Sequence, residues 1–319
     1  MTIPNSRIGL ALGSGVARGW AHIGVLRALE RVGIRPAIVA GTSVGAAIGG
    51  VYLGGRLDEF EAWARGLTRM RLSRLFDFQF GRGGLIAGRR IAAAFAPELR
   101  ETRIEDLPAR FACVATELGT GHEVWLQQGN LLEAIQASYA LPGLFAPTRI
   151  DGRWLLDGAL VNPVPVSVCR AFGARVVIAV NLNADSFGDV PLPDAEAQVG
   201  LGIESAAEEE PAKPHGNGTL ARGAALARQL LGRSNHDHAG ADEPSLFSVM
   251  ASSLNIVQDR LTRSRLAGDP PDATIAPKLG HIGLMEFDRA EESIALGEQA
   301  VEHALPAIRD ALRRLNGRY

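Results

Sequence analysis

The chain has 319 residues, of which 46% are hydrophobic and 21% are charged, so it can bury a large apolar core. Its formal net charge is −2 at pH 7, which gives no electrostatic reason to expect nucleic acid as a partner. The two cysteines, Cys113 and Cys169, lie in apolar stretches typical of a core and do not build a disulfide framework. This cysteine usage favours a reducing compartment.

The amino-terminal region predicts neither export nor membrane insertion. Arg7 is followed directly by an apolar, strand-like run, without the basic and apolar regions of a signal peptide. No uninterrupted apolar run approaches the roughly 18 residues that a membrane-spanning helix needs. We therefore expect a cytoplasmic protein, and peripheral contact with a membrane surface stays open.

The first half of the chain alternates strand and helix patterns. Ile8–Leu12 is a short apolar run, and Trp20–Val32 has apolar residues at helical spacing. Ala37–Ala40 predicts a second strand, and Val44–Leu53 predicts a second helix. Such alternation predicts an α/β fold in which helices flank the sheet.

The second half contains further strands, then an interruption, then two long helical patterns. The predicted strands are Arg110–Glu117, Glu123–Leu126, Trp154–Leu156 and Arg175–Asn181. Residues 184–245 contain an acidic run and turn-forming stretches, which predict a flexible insertion with one helix over Leu220–Leu231. Helical periodicity returns at Ser245–Leu266 and at Ala290–Leu315. No internal repeat is visible, so we predict a single domain, residues 1–319, that carries this insertion.

A pentapeptide of the form G-x-S-x-G surrounds Ser43, between Gly41 and Gly45. An apolar, β-branched stretch leads into it, and a helical pattern of small residues follows. A nucleophile elbow needs this context, because the strand-to-helix turn is so tight that the residues beside the serine must be small. The pattern predicts Ser43 as a nucleophile, and the competing interpretation is a serine that caps the following helix.

Two further features fit a serine nucleophile. The first is the Gly-rich turn Gly13–Gly19, whose backbone N–H groups at a helix start suit an oxyanion or a phosphate. The second is Asp157, which ends a short apolar strand and precedes Gly158. A carboxylate held there accepts the serine proton directly and forms a two-residue dyad, although an Asp-Gly pair is also a common turn signal.

Four motifs in this order resemble the bacterial branch of the patatin-like phospholipase family. They are residues 10–26 (LALGSGVARGWAHIGVL), 41–45 (GTSVG), 137–145 (ASYALPGLF) and 157–165 (DGALVNPVP). Together they are far more specific than any one alone, and the resemblance covers nearly the whole chain outside residues 184–245. The resemblance extends to Leu279–Gly283, a segment that looks like that of a subgroup of this branch.

The resemblance implies a three-layer α/β/α sandwich with a mostly parallel central sheet. It also implies a lipid acyl hydrolase (a phospholipase, lysophospholipase or carboxylesterase) that uses no metal or cofactor. By position, Ser43 is then the nucleophile and Asp157 the general base of a Ser–Asp dyad. The implied oxyanion hole consists of backbone N–H groups at Ser14, Gly15 and Val16. The implied supporting positions are Gly13, Arg18, Gly19, Gly41, Gly45 and Gly158.

The Gly-rich turn departs from the family pattern of three consecutive glycines, which falls on Ser14, Gly15 and Val16. Backbone donors survive this replacement, but a β-branched residue does not readily adopt a positive φ. The departure predicts a hole of different geometry and a lowered rate. It also keeps open a non-catalytic regulatory protein that has retained the fold.

Three other interpretations stay open. His281 follows Ser43 and Asp157 in the chain order of an α/β-hydrolase triad, although Ser43 comes very early for that fold. The Gly-rich turn loosely resembles a dinucleotide-binding turn, but no acidic residue ends the second strand. In residues 68–80, arginines alternate with apolar and aromatic side chains, which indicates core packing or a membrane-facing lip that binds acyl chains.

Overall fold

The computed structural model describes residues 8–68, 70–71, 84–86, 99–185 and 246–315. Most of the predicted insertion, including the helix expected over Leu220–Leu231, lies outside these ranges. Most of the stretch 68–80 lies outside them as well. The prediction of a single domain with an insertion therefore stays a prediction.

The strands of the described ranges form two sheets. In chain order they are β1 (Ile8–Leu12), β2 (Ile38–Thr42), β3 (Gly84–Ile86), β4 (Arg110–Glu117), β5 (Glu123–Leu126), β6 (Gly143–Phe145), β7 (Thr148–Ile150), β8 (Arg153–Asp157), β9 (Val176–Val180) and β10 (Ala273–Ile275). The central sheet has the order β10–β9–β1–β2–β4–β8–β7, and β5 also pairs with β4. The first five strands in this order, β10, β9, β1, β2 and β4, are parallel to their neighbours. The pairs β4–β5, β4–β8 and β7–β8 are antiparallel. Strands β3 and β6 form a separate parallel pair.

Helices connect and cover these strands. They are α1 (Ala21–Arg31), α2 (Val44–Leu53), α3 (Leu57–Arg65), α4 (Leu131–Ser138), α5 (Val166–Ala171), α6 (Leu246–Gly268) and α7 (Ala290–Leu315). Short 3₁₀ turns lie at Val16–Trp20, Ile104–Asp106 and Gly158–Leu160. Among the helices of the described ranges, none has both the length and the apolar character that crossing a bilayer requires.

The central sheet separates two apolar layers. Successive side chains of a strand point to opposite faces, so in β1 Leu10 and Leu12 join the larger layer and Ala11 joins the smaller one. Helices α1, α2, α4 and α7 contribute to the larger layer, and α5 covers the other face. The fold is therefore an α/β/α sandwich with a mostly parallel central sheet, as predicted.

Helices α1 and α7 cross closely because each has a glycine at the contact. A Cβ at Gly24 would meet the backbone of Ile294, and a Cβ at Gly297 would meet the backbone of Ala21. Glycine permits this approach because it has no side chain to separate the two backbones. The crossing holds the carboxyl-terminal helix against the helix that follows the Gly-rich turn.

Several elements have the bounds that the sequence predicted, among them β1, β4, β5, α2 and α7. Strand β2 continues to Thr42, so it leads directly into the pentapeptide around Ser43. Helices α3, α4 and α5 were not predicted. The last two have only eight and six residues, too few for a clear helical period in the sequence.

Candidate active site

Ser43 lies in the turn between β2 and α2, the position of the nucleophile in an elbow. Its backbone has a φ of 57° and a ψ of −122°, a region that residues other than glycine rarely adopt. Ser43 is 6% exposed, and its side chain makes no capping hydrogen bond to α2. The interpretation of Ser43 as a helix-capping serine is therefore wrong.

The elbow is tight because Gly45 lets α2 begin directly against the end of β1. A Cβ at Gly45 would collide with backbone atoms of Leu12 and Gly13, so a larger residue would separate the elbow from the Gly-rich turn. The other predicted supporting glycines also lack room for a side chain. A Cβ would press on neighbouring atoms at Gly13, Gly19, Gly41 and Gly158.

The hydroxyl of Ser43 donates a hydrogen bond to the carboxylate of Asp157. Ser43 Oγ lies 2.7 Å from Asp157 Oδ2, although the two residues are 114 positions apart in the chain. The other carboxylate oxygen, Oδ1, accepts a hydrogen bond from the backbone N–H of Ala159 at 2.8 Å. The structure thus brings together the two residues proposed for the dyad and orients the carboxylate from both sides.

Burial changes the acidity of this carboxylate. Asp157 is 2% exposed, and its removal from water raises the pKa of the carboxyl to about 7 by disfavouring the charged form. The hydrogen bonds from Ala159 and Ser43 oppose this rise, because they favour the carboxylate. A general base is most effective when its pKa lies near the working pH, so Asp157 is suited to accept and return a proton at neutral pH.

The Gly-rich turn offers backbone donors beside the elbow. The N–H of Ser14 is already engaged, because it donates to the carbonyl oxygen of Pro163 at 2.9 Å. The N–H groups of Gly15 and Val16 have no acceptor among the residues that the structure describes. Val16 has a φ of 50°, so this β-branched residue does adopt the conformation that the sequence indicated as unfavourable. The cost of that conformation is local strain.

Arg18 joins the Gly-rich turn to two distant parts of the chain. It is 5% exposed, and its Nε donates to the carbonyl oxygen of Ile282 at 2.8 Å. Its Nη1 donates to Asn183 Oδ1 at 3.4 Å, and the Asn183 amide donates to the carbonyl oxygen of Ser14 at 3.3 Å. Burial lowers the pKa of the Arg18 guanidinium, and the nearby carboxylate of Asp185 opposes that shift.

His22, near the start of α1, supports the Gly-rich turn. The ring is fully buried, and Nε2 lies 2.8 Å from the carbonyl oxygen of Gly13. Burial lowers the pKa of His22 to about 4, so the ring is neutral at pH 7. A carbonyl oxygen only accepts hydrogen bonds, so Nε2 carries the proton and donates it. His22 is therefore a structural histidine.

His281 does not join Ser43 and Asp157. Its Nε2 lies 2.8 Å from Glu292 Oε1, and its side chain is 47% exposed. Arg289 donates to the carbonyl oxygen of His281 at 3.0 Å, which completes a surface cluster at the start of α7. The three-residue triad that the chain order suggested is therefore not formed.

Several polar residues that hold the dyad were not identified from the sequence. Ser138 Oγ accepts a hydrogen bond from the backbone N–H of Ser43 at 2.9 Å. Thr116 Oγ1 donates to the carbonyl oxygen of Asp157 at 2.8 Å. Thr42 Oγ1 donates to the carbonyl oxygen of Asn162 at 2.8 Å. The one sequence feature that pointed to Ser138 was its place in the motif at residues 137–145, to which the sequence alone assigned no role.

Comparison with known proteins bears on this arrangement. Residues 10–170 match the family model "Patatin-like phospholipase", and this span contains the Gly-rich turn, Ser43 and Asp157. An uncharacterized NTE family protein of Mycobacterium tuberculosis is 38% identical, over 95% of this chain and 92% of that protein. The chain belongs to the patatin-like phospholipase family. The resemblance of the four motifs is confirmed, and it replaces the dinucleotide-binding interpretation.

More distant relatives of this chain are much longer proteins. Lysophospholipase NTE1 of Mycosarcoma maydis is 35% identical, over 56% of this chain and 10% of that protein. Patatin-like phospholipase domain-containing protein 7 of Mus musculus is 30% identical, over 57% of this chain and 14% of that protein. The similarity to these proteins is thus limited to a small part of their length.

Proposed function

We propose that this protein is a lipid acyl hydrolase that cleaves carboxylic esters through a Ser43–Asp157 dyad. The proposal depends on one observation, the 2.7 Å hydrogen bond from Ser43 Oγ to Asp157 Oδ2 at a strained strand-to-helix turn. Membership of the patatin-like phospholipase family supports a lipid ester as the substrate class. The relatives named lysophospholipases support the same class.

Acylation starts when Ser43 Oγ attacks the carbonyl carbon of the ester. The hydroxyl proton moves to Asp157, and the electron pair of the C=O bond moves onto the carbonyl oxygen. The N–H groups of Gly15 and Val16 donate to this oxyanion in the proposed hole. The intermediate then collapses, the alcohol oxygen leaves with the proton from Asp157, and the acyl group stays on Ser43.

Deacylation repeats these steps with water. Asp157 takes a proton from a water molecule, whose oxygen adds to the acyl carbon. The second intermediate collapses by breaking the bond to Ser43 Oγ, which recovers the proton from Asp157. The products are a carboxylic acid and a regenerated dyad, so the sum of both stages is ester hydrolysis.

The proposal is tested by a panel of esters of graded acyl length, together with labelling by a fluorophosphonate probe. We expect turnover of at least one ester and labelling of Ser43, and both are lost in Ser43→Ala because the attacking oxygen is removed. Correctly folded protein that shows neither labelling nor Ser43-dependent turnover contradicts the proposal. That result favours the non-catalytic regulatory protein.

A pair of variants separates the dyad from a triad. Asp157→Asn removes the general base, so we expect kcat to fall by at least about a thousandfold. His281→Ala removes an exposed ring that contacts Glu292, so we expect kcat to stay within about twofold of wild type. Loss of turnover in His281→Ala would favour the triad instead.

We further propose that the protein contacts membranes peripherally, through α6. Exposed apolar side chains on this helix are Val249, Met250, Ile256 and Val257. The exposed Arg260 follows one turn later, and apolar residues beside a basic residue suit the surface of an anionic bilayer. The membrane-facing lip expected in residues 68–80 lies mostly outside the described residues, and the cytoplasmic location stays a prediction.

Vesicle sedimentation tests this contact. We expect the protein to sediment with phosphatidylglycerol vesicles, and the double variant Ile256→Asp/Val257→Asp to bind them several times more weakly. Turnover of a soluble short-chain ester serves as the control and should not change, because the two side chains do not contact the dyad. A wild-type protein that stays in the supernatant contradicts the proposed contact.

A further inference from the structure

The motif at residues 137–145 contacts both members of the dyad, although the proposed mechanism assigns it no role. Helix α4 ends at Ser138, and the chain then passes through Tyr139 and Ala140 toward β6. Ser138 and Ala140 are 0% and 1% exposed, so their polar groups need partners within the protein. Those partners include the backbones of Ser43 and Asp157.

The hydroxyl of Ser138 bridges the elbow and the neighbouring strand. Its oxygen accepts from the backbone N–H of Ser43 at 2.9 Å, and its proton is donated to the carbonyl oxygen of Val114 at 2.6 Å. A hydroxyl has one proton, so the bond to Val114 fixes its rotation and leaves a lone pair for Ser43. Val114 lies beside Thr42 in the β2–β4 register, which places this anchor next to the elbow.

The backbone of Ser43 depends on such an anchor. Its φ of 57° is a sparsely populated conformation, which persists only where surrounding contacts hold it. Ser43 precedes the first residue of α2 and follows the last residue of β2, so its N–H lies outside both hydrogen-bond patterns. Without Ser138 this N–H would be a buried donor with its partner removed.

Two residues further on, the same stretch holds the general base. The carbonyl oxygen of Ala140 accepts from the backbone N–H of Asp157 at 3.0 Å. A stretch of three residues, Ser138–Ala140, is therefore bonded to the main chains of both dyad residues. Loss of either bond therefore allows Ser43 Oγ and the carboxylate to move relative to each other.

We propose that Ser138 is a positioning residue, which together with Ala140 clamps Ser43 Oγ within hydrogen-bonding distance of Asp157. The inference rests on the proposed hydrolase function, because its kinetic readout is turnover by that dyad. Ser138 is fully buried, so its loss lowers the rate of acylation and leaves substrate binding unchanged. A displacement near 1 Å at the reacting atoms is enough to lower a rate by about a hundredfold.

The test compares Ser138→Ala with Ser138→Thr. We expect Ser138→Ala to lower kcat roughly ten- to hundredfold with KM within about twofold of wild type, because positioning is lost and binding is not. Fluorophosphonate labelling of Ser43 should slow in parallel. Ser138→Thr keeps the hydroxyl and should recover most of the rate. Ser138→Cys, which keeps the volume but is a weak acceptor, replaces Ser138→Ala if that variant does not fold.

Ser293→Ala is the matched control. Ser293 is 0% exposed, and its Oγ donates to the carbonyl oxygen of Arg289 at 2.9 Å, so the substitution removes a buried serine hydroxyl away from the dyad. We expect Ser293→Ala to lower the melting temperature without changing kcat. If Ser138→Ala also lowers only the melting temperature, the hydroxyl is merely structural and the proposal is overturned.

A crystal structure of Ser138→Ala separates this inference from the proposed function. If wild type shows no Ser43-dependent turnover, the proposed hydrolase fails, and the clamp is then judged from geometry. A Ser43 Oγ to Asp157 separation beyond about 3.5 Å in the variant supports the clamp. A separation unchanged from wild type overturns it.

Discussion

Burial and hydrogen bonding have opposite effects on the pKa of the Asp157 carboxyl. Burial raises the pKa of its carboxyl to about 7, while Ser43 and Ala159 stabilise the charged form. Because the folded protein binds this proton more tightly than the unfolded chain does, protonation of Asp157 favours folding. That stabilisation is complete below the ordinary pKa of 3.8 and is lost as the pH rises through about 7.

At the residue scale, Asp157→Asn should therefore stabilise the protein at alkaline pH. The amide oxygen of asparagine can accept from the Ala159 N–H, and its NH₂ can donate to Ser43 Oγ, without a buried charge. We therefore expect a gain on the order of 2–4 kcal/mol at pH 8. At pH 4 the gain should nearly vanish, because the wild-type carboxyl is then protonated when folded. Urea unfolding at both pH values checks this, and an Asp157→Asn variant that is less stable than wild type at pH 8 contradicts it.

In the proposed mechanism, the same carboxyl sets the pH dependence of turnover. Asp157 must be ionised to accept the Ser43 proton, so kcat/KM should rise with an apparent pKa of about 7. The buried ring of His22, with a pKa of about 4, stays neutral over this range and adds no second step. Initial rates on a soluble ester between about pH 5 and pH 9 measure the profile. A flat profile would exclude Asp157 as the titrating base.

At the scale of the element, the backbone of the Gly-rich turn is strained at Val16. Val16 adopts a φ of 50°, which crowds a β-branched side chain against its own backbone. His22 bonds to the carbonyl oxygen of Gly13 in this turn, and Arg18 joins the turn to the carbonyl oxygen of Ile282. The turn therefore presents the N–H groups of Gly15 and Val16 although a valine replaces a glycine.

Val16→Gly should raise the free energy of unfolding by about 1 kcal/mol. The substitution releases roughly 1–3 kcal/mol of strain and loses about 0.5–1 kcal/mol through the greater freedom of glycine in the unfolded chain. The backbone N–H is kept, so kcat should not fall. Val32→Gly is the control, because Val32 has a φ of −95° and the change there should only destabilise. Urea unfolding measures the free energy of unfolding of both variants. A Val16→Gly variant that is less stable than wild type would contradict the predicted strain at Val16.

At the scale of the whole molecule, the site is assembled from segments far apart in the chain. Arg18 bonds to Ile282, 264 positions away, and to Asn183, 165 positions away. The close crossing at Gly24 and Gly297 holds α7, which follows Ile282 in the chain, against α1, which follows Arg18. The carboxyl-terminal part of the chain therefore holds the turn that carries the proposed oxyanion donors.

Arg18→Lys should weaken this connection. A lysine has no planar fork to reach Ile282 and Asn183 together, so we expect a loss of about 2 kcal/mol of stability and a lowered kcat. The matched control is Arg314→Lys, because Arg314 pairs with Asp310 at the surface and both side chains are more than half exposed. That change should stay within about 0.5 kcal/mol. Equal effects of the two substitutions on urea unfolding would contradict a special role for Arg18.

Much of the fold and two site residues could be predicted from the chain alone. Buried strands such as β4 and long amphipathic helices such as α7 leave a local period in the sequence, because one face of each is covered by the core. Ser43 and Asp157 could be named because each lies in a short motif. Their hydrogen bond confirms that they meet, while their catalytic roles stay proposals.

Tertiary structure decided what local patterns do not encode. The anchoring of Ser43 by Ser138, the bond from Arg18 to Ile282 and the pairing of His281 with Glu292 each join residues that are distant in the chain or outside any motif. Which N–H groups of the Gly-rich turn stay unengaged also depends on a distant acceptor, Pro163. Periodicity and motifs record the secondary structure and the reacting groups, whereas the geometry between those groups arises from contacts formed only when the sheet and its helices pack.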